Sequence, residues 1–121
     1  LVLGMTLPRV KLYTRIDSRV EWMIRMGWLE EVRSLLDKKL TLEHPSMASI
    51  GYRELAAVLS NDMVLKEVIP KIKTGTHRFA RHQYSWFRLT DPRIHWLQVG
   101  IDVEARARGL VKTFLAGSDH T

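Results

Sequence analysis

The sequence predicts a mainly helical fold with two short strands, and three observations carry that expectation. Apolar residues recur at steps of three and four along most of the 121 residues, the spacing of one face of an α-helix. Two brief apolar runs, residues 1–7 and 94–99, are too short for helices and stop at Pro8 and Gly100, as buried strands do. Hydrophobic residues make up 45% of the chain and charged residues 26%, which supports one modest core and excludes a disordered tail.

The elements follow in order. Residues 1–7 form the first predicted strand. Pro8 suits a helix start, because the first-turn N–H groups have no partner within a helix. Leu12, Ile16, Val20 and Met23 then recur at helical spacing, Tyr13 and Ile24 widen the stripe, and Gly27 offers the stop. A second helix near residues 29–38 turns Leu29, Val32, Leu35 and Leu36 inward, with Glu30, Glu31, Arg33 and Lys38 outward. Pro45 breaks the pattern, since the residue before a proline avoids the helical region. A third helix is expected from about Ser46, carrying Ile50, Leu55, Val58 and Leu59. Gly51 inside it costs about 1 kcal/mol relative to Ala, which predicts that another group approaches the backbone there.

Ser60-Asn61-Asp62 is the next break, rich in capping residues. The longest helix is predicted from about Met63 to Arg88, with Pro70 expected to kink or divide it. The helices up to that point thus occupy about residues 8–88. Asp91-Pro92-Arg93 reads as a turn, residues 94–99 as the second strand, residues 102–115 as a last helix and residues 117–121 as a solvated tail.

Charge narrows the partners. Lys plus Arg total 19 against 13 for Asp plus Glu, a formal net charge of +6 that suits a polyanion such as a nucleic acid. The chain has no cysteine, which excludes disulfides, thiolate metal sites and a cysteine nucleophile. No apolar run approaches the roughly 20 residues that span a bilayer, so no membrane role is expected. The opening Leu1-Val2-Leu3-Gly4-Met5 has no basic leader and no cleavage pattern, and it is read as continuing from sequence upstream.

The long helix carries the clearest candidate surface. With Phe79 at zero and about 100° per residue, Leu65, Val68, Ile72, Thr76, Gln83 and Trp86 fall within roughly 60° of it. Lys73, His77, Arg81, Tyr84 and Arg88 gather on the opposite side, with Arg78 and Lys71 on a flank. Cations one turn apart can follow phosphates, and Tyr84 or His77 could stack on an unpaired base. The same arrangement also describes the wet side of an ordinary amphipathic helix, and both readings stay open.

Other candidates signal less. The five histidines, 44, 77, 82, 95 and 120, have no acidic residue at ligand spacing, so no metal site is expected within this chain. Glu30, Glu31 and Glu54 read as exposed helix charges rather than catalytic acids. Tryptophans 22, 28, 86 and 96 read as core and interface residues. Thr74-Gly75-Thr76 lacks the lysine and the strand of a phosphate loop.

Five ordered strings resemble the tRNA dimethylallyltransferase family. Ile50-Gly51-Tyr52-Arg53-Glu54-Leu55 resembles its GYKEL element, and residues 76–88, Thr76 through Arg88, resemble its TRxYAKRQxTWFR element. Residues 12–23 resemble its LYxRIxxRVxxM helix, Gly27-Trp28-Leu29-Glu30-Glu31-Val32 its GLLEEV string, and Ile94-His95-Trp96-Leu97 its closing strand.

The resemblance implies the C-terminal portion of a phosphate-loop α/β transferase, with the N-terminal core that carries the loop and the general-base aspartate absent from these residues. It implies a cytoplasmic, nucleotide-binding enzyme that moves a dimethylallyl group from its diphosphate to the N6 amine of the adenosine 3′ of the anticodon. The target base would leave its stack to meet the electrophile. A magnesium ion would sit with the diphosphate, held mainly by the missing part. No catalytic residue is expected in this chain, which would be inactive alone.

By the same resemblance Arg19 and Arg15 reach the diphosphate, while a surface ion pair with Asp17 or Glu21 is the competing account of that pair. Pro45, Ser46, Met47, Ala48, Tyr52, Arg53, Thr76, His77, Arg78, Arg81, His82 and Gln83 match tRNA-contacting positions of the anticodon stem-loop site. His77 and His82 stand where the family has arginine, which replaces two fixed charges with titratable ones. Pro70 is also unusual for the family. A basic helical RNA-binding module without catalysis, or a helical scaffold for a protein partner, are the alternatives. Residues 1–7 would leave an apolar strand edge open to self-association.

Overall fold

The computed structural model describes residues 1–38 and 49–118. The order is β1 (Val2–Thr6), α1 (Arg9–Arg25), α2 (Trp28–Asp37), α3 (Tyr52–Leu59), α4 (Leu65–Trp86), β2 (Ile94–Gln98) and α5 (Val103–Ser118). The fold is mainly helical with two short strands, as the sequence predicts. Pro45 to Ala48, and the expected start of the third helix near Ser46, lie outside the described residues. The chain divides into two compact units, residues 13–82 and residues 1–12 with 83–121.

The unit of residues 13–82 holds the core. Val20 of α1, Trp28 and Val32 of α2, Leu55 and Ala56 of α3, and Val68 and Ile72 of α4 form one buried cluster. Val32, Leu55, Val68 and Ile72 are fully buried, and each is worth about 1.5–3 kcal/mol in transfer free energy. Ile16, Met23, Ile24, Leu29, Leu35 and Leu36 pack against this cluster, on the faces predicted for α1 and α2.

Two glycines fix the turns of this unit. Gly27, at φ 102°, ends α1 in the left-handed region, where a side chain would be strained. Gly51 lies before α3 rather than within it, at φ 99°, and its N–H donates to Glu54 Oε2 at 2.8 Å. The expected close approach is the Trp28 indole, whose ring would overlap a Cβ on Gly51. Asn61, at φ 62°, supplies the stop after α3.

Pro70 does not divide α4, which runs unbroken from Leu65 to Trp86. It sits near the exposed start of the helix, so the one hydrogen bond it forfeits leaves a carbonyl that water can reach.

In the other unit, β1 and β2 pair in parallel, from Val2 opposite Ile94 to Thr6 opposite Gln98. The opening strand therefore has a partner on one edge. Beyond the strand ends Val99 N donates to Thr6 O at 2.9 Å, and the Thr6 and Tyr84 hydroxyls lie 3.1 Å apart. Gly4, Met5, Tyr84, Phe87, Ile94 and Trp96 line an open apolar hollow of about 260 Å³. In the predicted turn the Asp91 carboxylate accepts from the Arg93 guanidinium and then from its backbone N–H, which holds its pKa at about 2. That ionised contact persists above the ordinary carboxylate value and is lost only as pH falls toward about 2.

Gly51→Ala should destabilise the chain by about 2–4 kcal/mol, because the methyl meets both an unfavourable φ and the Trp28 ring. Gly109→Ala, in a helix position where an added Cβ meets nothing within 4 Å, should be neutral or stabilise by up to about 1 kcal/mol. Urea denaturation of both variants checks the contrast, and equal effects would contradict this account of Gly51.

Candidate nucleic-acid interface

Helix α1 sorts its charges to two flanks. About 100° per residue places Asp17 and Glu21 on one side of Val20, and Arg15 and Arg19 on the other. Helix α4 presents Lys73 and His77 to the acidic flank, again one turn apart. Lys73 Nζ lies 2.7 Å from Glu21 Oε1, and His77 Nε2 lies 2.6 Å from Asp17 Oδ1. The Tyr13 ring stacks on the His77 imidazole with centroids 4.0 Å apart and planes within 2°. The Lys73 hydrogen bond and charge hold the Glu21 carboxyl below its usual value.

This seam bears on the surface ion pair considered for Arg15 and Arg19. Both acids that could have paired with them on α1 are committed to α4. Arg15 and Arg19 are exposed, one turn apart, and no carboxylate among the described residues forms an ion pair with either. Two neighbouring guanidinium groups of this kind can clamp a diphosphate.

The expected face of α4 differs from the observed one beyond Ile72. His77 and Lys73 are largely covered by α1, whereas Phe79 is 58% and Trp86 75% exposed. The apolar stripe continues past Ile72 along the helix, but the packed side swings toward Lys73 and His77, where α1 supplies partners. Tyr84 is also engaged, through Thr6 and a tilted contact with Trp96. Of the four tryptophans, Trp28 is buried and Trp96 half-buried, while Trp22 and Trp86 are exposed.

The remaining sequence-predicted residues fall into two groups. Arg53, Arg78, Arg81, His82 and Gln83 are exposed. Tyr52, Thr76 and His77 are half-buried and already bonded: Tyr52 Oη donates to Glu31 Oε1 at 3.1 Å, and Thr76 Oγ1 to the Ile72 carbonyl at 2.8 Å. Burial, then the Glu31 contact, pushes the Tyr52 phenol up from its usual value. The pairing of α1 with α4 was missed in the sequence. Its signal was there, as acids at 17 and 21 matched by bases at 73 and 77. From Pro70 to Trp86 the helix carries no acidic residue at all.

Comparison with known proteins now bears on these positions. The family model described as IPP transferase matches residues 1–90, a span that includes α1 and α4. The chain belongs to the IPP transferase family. A tRNA dimethylallyltransferase of Natranaerobius thermophilus is 44% identical over 99 residues, 82% of this chain and 30% of that protein. One of Dehalococcoides mccartyi is 39% identical over 116 residues, 96% of this chain and 36% of that protein. The solved tRNA isopentenylpyrophosphate transferase of Bacillus halodurans superposes with a TM-score of 0.80 at 30% identity, covering 97% of this chain and 38% of that one. The Staphylococcus epidermidis structure gives 0.81 at 27% identity, over 93% and 38%. The chain thus spans about a third of these IPP transferase relatives.

Among the described residues no group of three or more His, Asp or Glu side chains gathers that could hold a metal ion. Among the described residues no helix is long and apolar enough to cross a membrane.

In this member of the IPP transferase family His77 should matter to stability. His77→Ala removes a ring stack and a hydrogen bond to a carboxylate, and should cost about 1–2 kcal/mol. Arg81→Ala should cost less than about 0.5 kcal/mol. Thermal melts of both variants test this, and equal losses would contradict the α1–α4 seam.

Proposed function

We propose that the chain is the C-terminal part of a cytoplasmic tRNA dimethylallyltransferase, working with an upstream core that carries the phosphate loop, the general base and the magnesium site. The reaction joins the adenosine N6 to the first carbon of the dimethylallyl group as its bond to diphosphate breaks, and the amine proton passes to the base. In this reading Arg15 and Arg19 steady the departing diphosphate. Exposed Arg53, Arg78, Arg81, His82 and Gln83 hold the anticodon arm, with Pro45 to Ala48 adding a second contact. Tyr52, Thr76 and His77 act mainly by shaping the surface, because their polar groups are already bonded within the chain.

The observation that carries this reading is the pair of uncommitted arginines on α1 inside the family-matched span. Nucleotide binding belongs to the upstream core, and the chain alone is inactive. The edge of β1 that no strand among the described residues pairs, apolar and without a charge, supports self-association of the isolated chain.

The test is a chimera in which this chain replaces the matching segment of the Dehalococcoides mccartyi relative. The chimera should transfer labelled dimethylallyl to an unmodified anticodon stem-loop, and the 121-residue chain alone should not. Arg19→Ala in the chimera should raise KM for dimethylallyl diphosphate about tenfold or more, the size of a lost charged hydrogen bond. Arg81→Ala should weaken stem-loop binding and lower its salt slope by about one. A folded chimera without transfer, or unchanged kinetics in the prenyl donor, would overturn the corresponding assignment.

Light scattering on the isolated chain should show association that rises with concentration and is lost on substituting Met5→Lys. A clean monomer at high concentration would refute the edge-pairing idea.

A further inference from the structure

Helix α1 carries two large apolar side chains in line with its two arginines. At about 100° per residue, Arg15, Arg19, Trp22 and Met26 fall within roughly 60° of one another. They follow at steps of four, three and four residues, and all are exposed, Trp22 to 54% and Met26 to 68%. The stripe therefore begins cationic and ends apolar, with about 4.5 Å of rise between Arg19 and Trp22. Neighbouring apolar groups of this size left in water mark a surface that binds something.

Behind the apolar end lies a hollow of about 310 Å³, lined among the described residues by Trp22, Met23, Met26, Gly27, Trp28 and Glu31. That volume is at the lower end of the range for small-molecule sites, about 300–1,000 Å³. Two indoles and two thioethers make a lining that moulds to a hydrocarbon of irregular shape. Trp28 is buried, and its ring is fixed by the close approach to Gly51, so the core sets the depth of the hollow. The charge in this lining is the Glu31 carboxylate, which accepts from the Tyr52 hydroxyl at 3.1 Å. No Lys or Arg among the described residues forms an ion pair with it.

These charges give the stripe a direction. An anionic head is drawn to Arg15 and Arg19 and repelled by Glu31, so an amphiphilic anion lies with its tail toward the hollow. An anion without a tail gains nothing from Trp22, and a neutral hydrocarbon gains nothing from the arginines. A prenyl diphosphate has both parts in the order the helix presents them.

We infer that Trp22 and Met26 receive the hydrocarbon chain of a prenyl diphosphate whose head Arg15 and Arg19 hold, and that the hollow behind them sets the length of chain accepted. The inference rests on the proposed donor role of the two arginines and adds the residues that select the chain. The carbon–oxygen bond that breaks in transfer then lies between Arg19 and Trp22, on the open side of the helix.

The experiment uses the Dehalococcoides mccartyi chimera and its Trp22→Ala, Trp22→Phe, Met26→Ala and Arg19→Ala variants. KM is measured for dimethylallyl diphosphate and for the stem-loop, with inhibition constants for inorganic diphosphate and ten-carbon geranyl diphosphate. In the parent, geranyl diphosphate should inhibit more strongly than inorganic diphosphate. Trp22→Ala should raise the donor KM about tenfold, the loss of roughly two buried methylenes, and weaken geranyl diphosphate at least as much. It should leave inorganic diphosphate and the stem-loop unchanged, and Trp22→Phe should recover most of the loss. Met26→Ala should raise the donor KM about threefold, which keeps the test intact if the tryptophan variant melts early. Arg19→Ala should weaken all three diphosphates alike. Donor KM unchanged in both Trp22→Ala and Met26→Ala, or an equal loss for inorganic diphosphate, overturns the inference and leaves the arginine clamp standing. A folded chimera without transfer overturns the transferase reading and this inference with it.

Discussion

The two acid–base pairs between α1 and α4, one turn apart on each helix, set the chemistry of everything around them. Asp17 and Glu21 face His77 and Lys73 at 2.6 and 2.7 Å, and the Tyr13 ring seals one pair by stacking on the imidazole. Each pair is partly exposed, so neither contributes much stability as an isolated ion pair. Their larger consequence is electrostatic sorting. By taking up both acids of the middle of α1, the seam leaves Arg15 and Arg19 without an anion on their own helix. By taking up Lys73 and His77, it turns the other cations of α4 outward.

Periodicity in the sequence foretold α1, α2, α4 and α5 to within a few residues, and it foretold the inner faces of α1 and α2, whereas α3 begins only at Tyr52, after the turn at Gly51. It failed on the second half of α4 for a definable reason. A stripe of Ile72, Phe79, Gln83 and Trp86 shows which side of a helix could be buried, but not how far along the helix a neighbour reaches. The neighbour is α1, and its contribution past Ile72 is polar and aromatic. The packed side therefore follows Lys73 and His77 instead of Phe79. The parallel pairing of β1 with β2 was equally invisible, since Val2 and Ile94 are joined only through everything between them. Gly51 lay between these extremes: the need for a close approach was legible, whereas its partner, Trp28, came from another helix.

The family strings supplied what periodicity could not, and the structure adds physical content to them. In the Ile50-Gly51-Tyr52-Arg53-Glu54-Leu55 string, Gly51 admits the Trp28 ring, Glu54 closes onto the Gly51 N–H, and Leu55 is fully buried. Three of the six residues thus build the turn and the core, and Arg53 alone projects a free-standing charge outward. In the Thr76 to Gln83 stretch the division is similar. Thr76 bonds its own helix and His77 bonds α1, while Arg78 and Arg81 remain at the surface. Recurrence of a motif in a family therefore does not assign every residue in it to the ligand.

The histidine at position 77 takes its meaning from this division. An arginine there would present a permanent charge and five donors to Asp17. The imidazole instead offers a flat ring that Tyr13 can cover and one nitrogen that Asp17 can hold. The aspartate and the tyrosine that hold this ring stand on α1, four residues apart on adjoining turns. What changes is the outward reach. An arginine bonded to Asp17 keeps further N–H groups for a phosphate, whereas the imidazole stacked on Tyr13 has at most its second nitrogen to offer. In this chain the exposed cations of α4 beyond its first turn are Lys71, Arg78 and Arg81.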